Sequence, residues 1–189
     1  SVSIWRGEEE ILSLHAGYRD WEKTIPWDEE TIVPFWSVTK GLAASCVLLA
    51  LDEAGRDLEE PVEDVWPGMR GVTFGQILAH QAGLAAFDDE FSIDDHSEII
   101  RALENQSPNW PVGDGHGYHM RTFGFLADEI VRRLAGAETL GQFWRERIAE
   151  PLGLDLWIGL PPEQDYRVAK LRPGSPSPEM RDSFFTTLG

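Results

Sequence analysis

The 189-residue sequence has few of the residues that crosslink a chain or attract polyanions. It has one cysteine, Cys46, which excludes an intrachain disulfide and which we expect to be a small buried side chain in an apolar segment. The 16 basic residues are outnumbered by 33 acidic ones, giving a net charge of −17. A chain of that charge repels phosphates, which disfavours nucleic acids and anionic membrane surfaces as partners.

Signals for membrane insertion and metal binding are also missing. No apolar run reaches the length of a membrane-spanning helix, and no signal peptide is recognisable. We therefore expect no membrane span and a cytoplasmic location, or a periplasmic or secreted one if a leader has been removed. No histidine pair has zinc-type spacing with a third ligand, and no phosphate-binding glycine loop is present, so no metal or other cofactor is predicted.

What is present is typical of a globular protein. Hydrophobic residues make up 42% and aromatic residues 11% of the chain, and each of the eight tryptophans brings a large area to bury. The length suffices for one large domain or for most of one.

The hydrophobic pattern predicts two strands followed mainly by helices. "SVSIW" and "EILSLHAGY" alternate as strands do, and "RGEE" between them predicts a turn. A helix is predicted from about Ser37 to Ala54, with Gly55 as its C-terminal stop. Thr73 with Gln76, and Thr139 with Gln142, fit capping boxes at the starts of two further helices.

A longer helix is predicted in the second half of the chain. Phe123, Leu126, Ile130 and Leu134 fall on one helical face, and Gly136 ends that pattern. Because two strands alone cover these helices poorly, either the fold is dominated by helices or further sheet strands lie beyond the sequence.

The stretch "PFWSVTKGLAASCVLLALDEAG" places a lysine in the first turn of an apolar helix, three residues after a serine. Residues i and i+3 share a helical face, so Ser37 and Lys40 can touch. A desolvated lysine loses its proton readily and can then accept the proton of the serine hydroxyl. The alternative is a plain N-cap serine followed by a solvated lysine, although a helix N-terminus prefers acidic residues.

Tyr118 follows a glycine-rich loop and precedes the predicted long helix. A tyrosine there can reach into a cleft and, near a lysine, can exchange protons. The alternative is a tyrosine that packs its ring and bonds its hydroxyl to the backbone, and composition alone favours that alternative.

Four segments in order, "FWSVTKG", "ILAHQAGL", "GHGYHMRTFGFLADEIVRRLAG" and "IAEPLGLDLWIGLP", resemble β-lactamase-related serine hydrolases. These include class C β-lactamases, D-alanyl-D-alanine carboxypeptidases and family VIII carboxylesterases, and the esterase-type members are the most similar. The resemblance implies that Ser37 is the acylated nucleophile, Lys40 its base partner, and Tyr118 the tyrosine of a Tyr-x-Asn element that moves protons.

The resemblance also implies an α+β fold of the β-lactamase/transpeptidase type, in which an antiparallel sheet flanked by helices joins an all-helical lobe. We divide residues 1–189 into the strands and nucleophile helix (1–55), a mainly helical lobe (56–160) and a connector toward missing C-terminal strands (161–189).

Two departures from the family pattern stand out. Met120 replaces the asparagine of Tyr-x-Asn, which argues against efficient β-lactam hydrolysis. The family's late-strand element, Lys-Thr-Gly or a variant, has no match after Tyr118, which predicts that this chain is the N-terminal half of a longer enzyme. Such a chain would expose a sheet edge, and we expect it either to be inactive alone or to associate with itself through that edge.

The predicted function is that of a serine hydrolase, a carboxylesterase that forms an acyl-enzyme with short-chain esters. One alternative is β-lactamase or D-alanyl-D-alanine carboxypeptidase activity on a small amide substrate, and another is a non-catalytic binding or assembly role. His80 and Gln81 of "ILAHQAGL" are expected to be structural. His116 and His119 are expected either to touch substrate or to lie on the surface of a loop.

Overall fold

The computed structural model describes residues 1–88, 92 and 94–171, and the chain divides into two compact units. The first unit comprises Ser1–Pro34 and Pro161–Gly189, and the second comprises Phe35–Leu160. The connector predicted over 161–189 is described as far as Leu171, and the rest of it lies outside the described residues.

The first unit begins with the predicted hairpin. Strands β1 (Val2–Arg6) and β2 (Glu9–Leu14) pair antiparallel with Val2 opposite Leu14, and the turn between them contains Gly7 at a φ of 62°. Among the described residues these are the only two strands. The other strands of the predicted antiparallel sheet are therefore not formed by the described residues.

The loop that follows the hairpin is organised around a buried carboxylate. Asp20 accepts hydrogen bonds from the Thr24 hydroxyl and from the backbone N–H groups of Thr24 and Ile25. The bond from the Thr24 side chain, followed by the backbone bonds, lowers the pKa of Asp20 from 3.8 to about 2. Ile32 forms a parallel bridge with Val168, which ties the two segments of this unit together.

The regular elements described in the second unit are helical. They are α1 (Thr39–Ala54), α2 (Phe74–Leu78), α3 (His96–Asn105), α4 (Thr122–Ala135) and α5 (Leu140–Trp144). A π-helical turn over Arg145–Ala149 extends α5, and the helical stretch stops just before Pro151.

The core of the second unit lies where α1 packs against α4. Helix α1 buries several apolar side chains, as expected of a helix inside a domain. Helix α4 is amphipathic, and its predicted apolar face is the one that is buried. The side chains removed from solvent include Cys46, Val47, Trp66, Phe74, Ile77, Leu126 and Ile130.

Most predicted helix ends are confirmed. Gly55 and Gly136 end α1 and α4 in the left-handed conformation, at φ values of 64° and 67°. Thr73 and Gln76 form the complete capping box at α2. At α5 the box is only half formed, because Thr139 caps the N–H of Gln142 whereas the Gln142 side chain accepts from Glu138 instead.

Candidate active site

Ser37 lies in a single 3₁₀ turn, Trp36–Val38, ahead of α1. The predicted helix start at Ser37 is therefore two residues early. Trp36 adopts a left-handed backbone conformation, with a φ of 52°, which interrupts any helix at this point. Val38 is the N-cap residue of α1, so the alternative interpretation of Ser37 as a plain N-cap is wrong.

Lys40 turns back toward the serine from the first turn of α1. Its Nζ donates to Ser37 Oγ at 3.2 Å and to the Met120 carbonyl oxygen at 2.9 Å. The side chain is half-buried and does not extend into solvent. These two acceptors offset the unfavourable position of a cation at a helix N-terminus.

Tyr118 completes the cluster from the loop before α4. The Lys40 ammonium lies 4.7 Å from the centroid of the tyrosine ring. Hydrogen bonds with Lys40 and then with Ser37 lower the pKa of the Tyr118 phenol from its usual 10.0. The structure thus brings Ser37, Lys40 and Tyr118 together, although they are up to 81 residues apart in sequence.

The cluster is open to solvent within the second unit. Ser37 is exposed, and Tyr118 retains 49% of its accessible surface. Met120, the residue at the asparagine position of Tyr-x-Asn, is 57% exposed and contributes its backbone carbonyl rather than its side chain. Among the described residues, the serine hydroxyl is therefore accessible from solvent.

The loop that carries Tyr118 requires glycine next to the tyrosine. A Cβ atom on Gly117 would lie 2.5 Å from the nearest ring carbon of Trp110, so a larger residue would push the loop away from that ring. Trp110 in turn meets the ring of His119 edge-on, with the ring centroids 5.7 Å apart.

His119 is the site residue whose position and role the sequence did not predict. It was expected to touch substrate or to lie on the loop surface, and this is wrong, because it is completely buried. Burial alternates along the chain here, with Tyr118 and Met120 exposed on either side of it, which is the pattern of extended backbone. An outward-facing Tyr118 is therefore the signal that predicts an inward-facing neighbour.

His80 packs against this loop, as its expected structural role requires. Its ring lies 5.2 Å from that of Tyr118 and 4.9 Å from that of Phe123. Its φ is 61°, so it and Trp36 are two of the three non-glycine residues in left-handed conformations within the described chain. Such conformations cost energy and cluster at functional sites.

None of the described helices combines the length and the hydrophobicity that spanning a membrane requires. Over the described residues, no group of three histidine, cysteine or acidic side chains is arranged to hold a metal ion.

Comparison with known proteins places the chain among hydrolases with related sequences. The family model described as Beta-lactamase matches residues 1–186. The esterase/beta-lactamase LipL of Mycobacterium tuberculosis is 28% identical over 180 residues, which cover 90% of this chain and 42% of that protein.

Two solved structures also match closely. A penicillin-binding protein homolog from Caulobacter crescentus has a TM-score of 0.78 and 40% identity, over 85% of this chain and 45% of its own. A family VIII carboxylesterase has a TM-score of 0.78 and 35% identity, over 84% of this chain and 46% of its own. The chain thus spans somewhat less than half the length of each of these relatives.

Proposed function

This chain belongs to the Beta-lactamase family, and from that premise we propose that it supplies the nucleophile of a serine hydrolase that acts on esters through an acyl-enzyme. The observation that carries the proposal is that Lys40 and Tyr118 both contact the exposed hydroxyl of Ser37. Serine is a weak nucleophile alone and needs a nearby group that takes its proton.

Lys40 suits the task in either protonation state. As an ammonium it donates to Ser37 Oγ and stabilises negative charge on the Tyr118 phenol, which then accepts the serine proton. As a neutral amine it keeps one N–H on the Met120 carbonyl, which turns its lone pair toward the serine. We assign the proton transfer to Lys40 and Tyr118 together.

The proposed reaction has two halves. Ser37 Oγ bonds to the ester carbonyl carbon while its proton passes to the Lys40–Tyr118 pair, and that proton then leaves with the alcohol as the ester C–O bond breaks. A water molecule next attacks the acyl-enzyme: its hydroxyl bonds to the acyl carbon as the bond to Ser37 Oγ breaks, and its other proton passes through the Lys40–Tyr118 pair to Ser37 Oγ, which releases the acid.

Met120 favours esters over amides as substrates. A thioether is only a weak hydrogen-bond acceptor and has no N–H to donate, so it cannot hold a substrate amide as an asparagine does. The Met120 carbonyl is already bonded to Lys40. Because the site then lacks a side-chain partner for an amide at this position, we infer a preference for short-chain esters over β-lactams.

An active-site probe tests the nucleophile. The full chain is treated with a fluorophosphonate, and the modified residue is identified for the wild type, Ser37→Ala and Ser45→Ala. Ser45 is an exposed serine on α1 whose hydroxyl bonds to the Gly41 carbonyl, so it controls for the loss of a hydroxyl. We expect labelling that Ser37→Ala abolishes and Ser45→Ala leaves unchanged.

A substrate pair tests the preference. Turnover of p-nitrophenyl butyrate without turnover of nitrocefin supports the ester proposal. Faster turnover of nitrocefin would favour the β-lactamase alternative, which the similarity to the esterase/beta-lactamase LipL supports. Absence of both turnover and labelling in a folded protein would favour the non-catalytic role.

A further inference from the structure

The backbone on both sides of Tyr118 is bonded to one histidine. The N–H of Gly117 donates to the His80 carbonyl oxygen at 3.1 Å. The N–H of His119 donates to the ring Nδ1 of His80, also at 3.1 Å. Two hydrogen bonds to His80, which lies 38 positions earlier in the chain, therefore hold the backbone on both sides of Tyr118.

His119 bonds to the chain through both of its ring nitrogens. Nδ1 lies 2.6 Å from the Gly117 carbonyl oxygen, and Nε2 accepts the N–H of Leu84 at 3.0 Å. A carbonyl can only accept and a backbone N–H can only donate. His119 must therefore be neutral with its proton on Nδ1, and it fixes the residue before Tyr118 against the segment after His80.

The ring of His80 is constrained in the same way. Its Nδ1 faces the backbone N–H of His119 and must carry a lone pair. A proton at Nδ1 of His80, or at Nε2 of His119, would set N–H against N–H and remove a hydrogen bond. Both rings must be neutral for the loop to keep this conformation.

We propose that His80 and His119 are positioning residues that, in their neutral forms, hold Tyr118 against Lys40 and Ser37, and that protonation of the pair releases the tyrosine. The inference rests on the function proposed above, because it assigns supporting residues to the same site. It also makes the site responsive to a fall in pH below 6.5.

The surroundings of the two rings favour the neutral forms. Burial lowers the pKa of His80, and repulsion of its protonated form by His119, Lys40 or His116 when these carry a proton lowers it further. Burial also lowers the pKa of His119, and this outweighs the opposite effect of its bond to Gly117. The Tyr118 phenol is a further titratable group beside His80, because its ring packs on that of the histidine.

A fall in pH should weaken the contribution of His80 and His119 to the stability of the fold. Because both folded-state pKa values lie below the unfolded value of 6.5, the unfolded chain takes up protons first as the pH falls. The contribution of the pair is complete above pH 6.5 and is lost as the pH falls through the lowered values.

Two variants of His80 separate the effect of losing its hydrogen-bond acceptor from the effect of losing its ring. Asparagine places its side-chain oxygen near the position of Nδ1, so His80→Asn keeps the acceptor for the His119 N–H without an ionisable ring. Glutamine places its polar atoms near Nε2, so His80→Gln loses that acceptor. His15→Asn, which removes an exposed histidine of the first unit, serves as the control.

The experiment follows Tyr118 in the full chain labelled with ¹³C at the tyrosine Cζ, by NMR between pH 7.5 and 5, alongside the rate of fluorophosphonate labelling. In the wild type and His15→Asn we expect the Tyr118 resonance to move together with the His80 and His119 ring signals. We expect His80→Gln to show the acid-form resonance already at pH 7.5 and to label about tenfold more slowly, the effect of one lost hydrogen bond. His80→Asn should retain both wild-type values at pH 7.5.

Two outcomes would overturn the proposal. One is a Tyr118 resonance that does not change as the histidines become protonated. The other is a His80→Gln protein that is folded by circular dichroism and has the wild-type Tyr118 resonance and labelling rate. If Ser37 is never labelled but Tyr118 still follows the histidines, the positioning role stands and the proposed hydrolase function fails. If Ser37 is labelled while the Tyr118 resonance does not follow the histidines, the proposed hydrolase function stands and the positioning role fails.

Discussion

Lys40 is the residue whose position most needs an explanation, because it puts a positive charge at the positive end of a helix. The structure explains it through contacts with Ser37 and with the Met120 carbonyl, both within hydrogen-bond distance of Nζ. The proximity of serine and lysine could be read from the sequence, since the two are only three residues apart. The Met120 carbonyl, 80 residues away, could not.

Replacing Lys40 should change Tyr118 directly. In Lys40→Met the ammonium is lost while an unbranched side chain one atom shorter remains, so the pKa of Tyr118 should rise toward 10.0, because Lys40 is the largest cause of its lowering. Tyrosine Cζ titration by NMR measures this, with Tyr118→Phe assigning the signal. Lys23→Met, in the first unit, is the matched control, and an unchanged Tyr118 titration in Lys40→Met would contradict the contact.

Tyr118 should set the alkaline side of the activity profile. Because its pKa is lowered, the phenolate fraction grows as the pH rises toward a value below 10, and ester turnover should rise with it. Tyr118→Phe should turn over p-nitrophenyl butyrate about 100-fold more slowly, as expected for loss of a general base, and should lose this rise. A variant that keeps the wild-type profile would exclude Tyr118 from proton transfer.

At the scale of elements, α1 carries Lys40, directly follows the turn that holds Ser37, and packs on α4. Leu126 lies on α4 with no exposed surface, whereas Leu48 lies on α1 and is 46% exposed. Leu126→Ala should lower the free energy of unfolding by about 2–5 kcal/mol, because it leaves a cavity in the core. Urea denaturation measures the change.

Leu48→Ala is the control for that experiment. It makes the same chemical change at an exposed position, where substitutions cost little. Equal effects of the two variants would contradict the assignment of the α1–α4 contact as the core of the second unit.

The elements themselves were largely predictable. The alternation of β1 and β2, the apolar face of α4 and the stops at Gly55 and Gly136 all depend on short-range periodicity and glycine geometry. The loop before α4 was not predictable, because its conformation depends on hydrogen bonds to His80 and Leu84. Such bonds join residues more than 30 positions apart, and no local pattern encodes them.

At the scale of the whole molecule, the two units contain acid-sensitive groups that titrate in different ranges. In the second unit, the lowered pKa values of His80 and His119 place a loss of stability below pH 6.5. In the first unit, the pKa of Asp20 is lowered to about 2, so the contribution of its carboxylate is complete above 3.8 and is lost as the pH falls through about 2.

Asp20→Asn tests the second of these ranges. The variant lacks the carboxylate that binds Thr24 and Ile25, so it should unfold at a lower temperature than the wild type at pH 5. The gap between the two proteins should narrow at pH 2, where the wild-type carboxylate becomes protonated. Exposed Asp114→Asn is the control, and a gap that does not depend on pH would contradict the role of the charge.

The family and the α+β class could be inferred from four short motifs in order, and the match over residues 1–186 confirms that inference. The position of each site residue depends on contacts that only the structure provides. Because the chain spans less than half of its relatives, the substrate of the whole protein remains a proposal.

The central claim is that the Ser37 hydroxyl is activated by its neighbours. Peptide mapping after fluorophosphonate treatment of the full chain tests it most directly, because the chain offers eleven serines. The account predicts that the phosphonate is found on Ser37 and on no other serine, and that Lys40→Met slows its attachment. Attachment spread over several serines, or an undiminished rate in Lys40→Met, would contradict it.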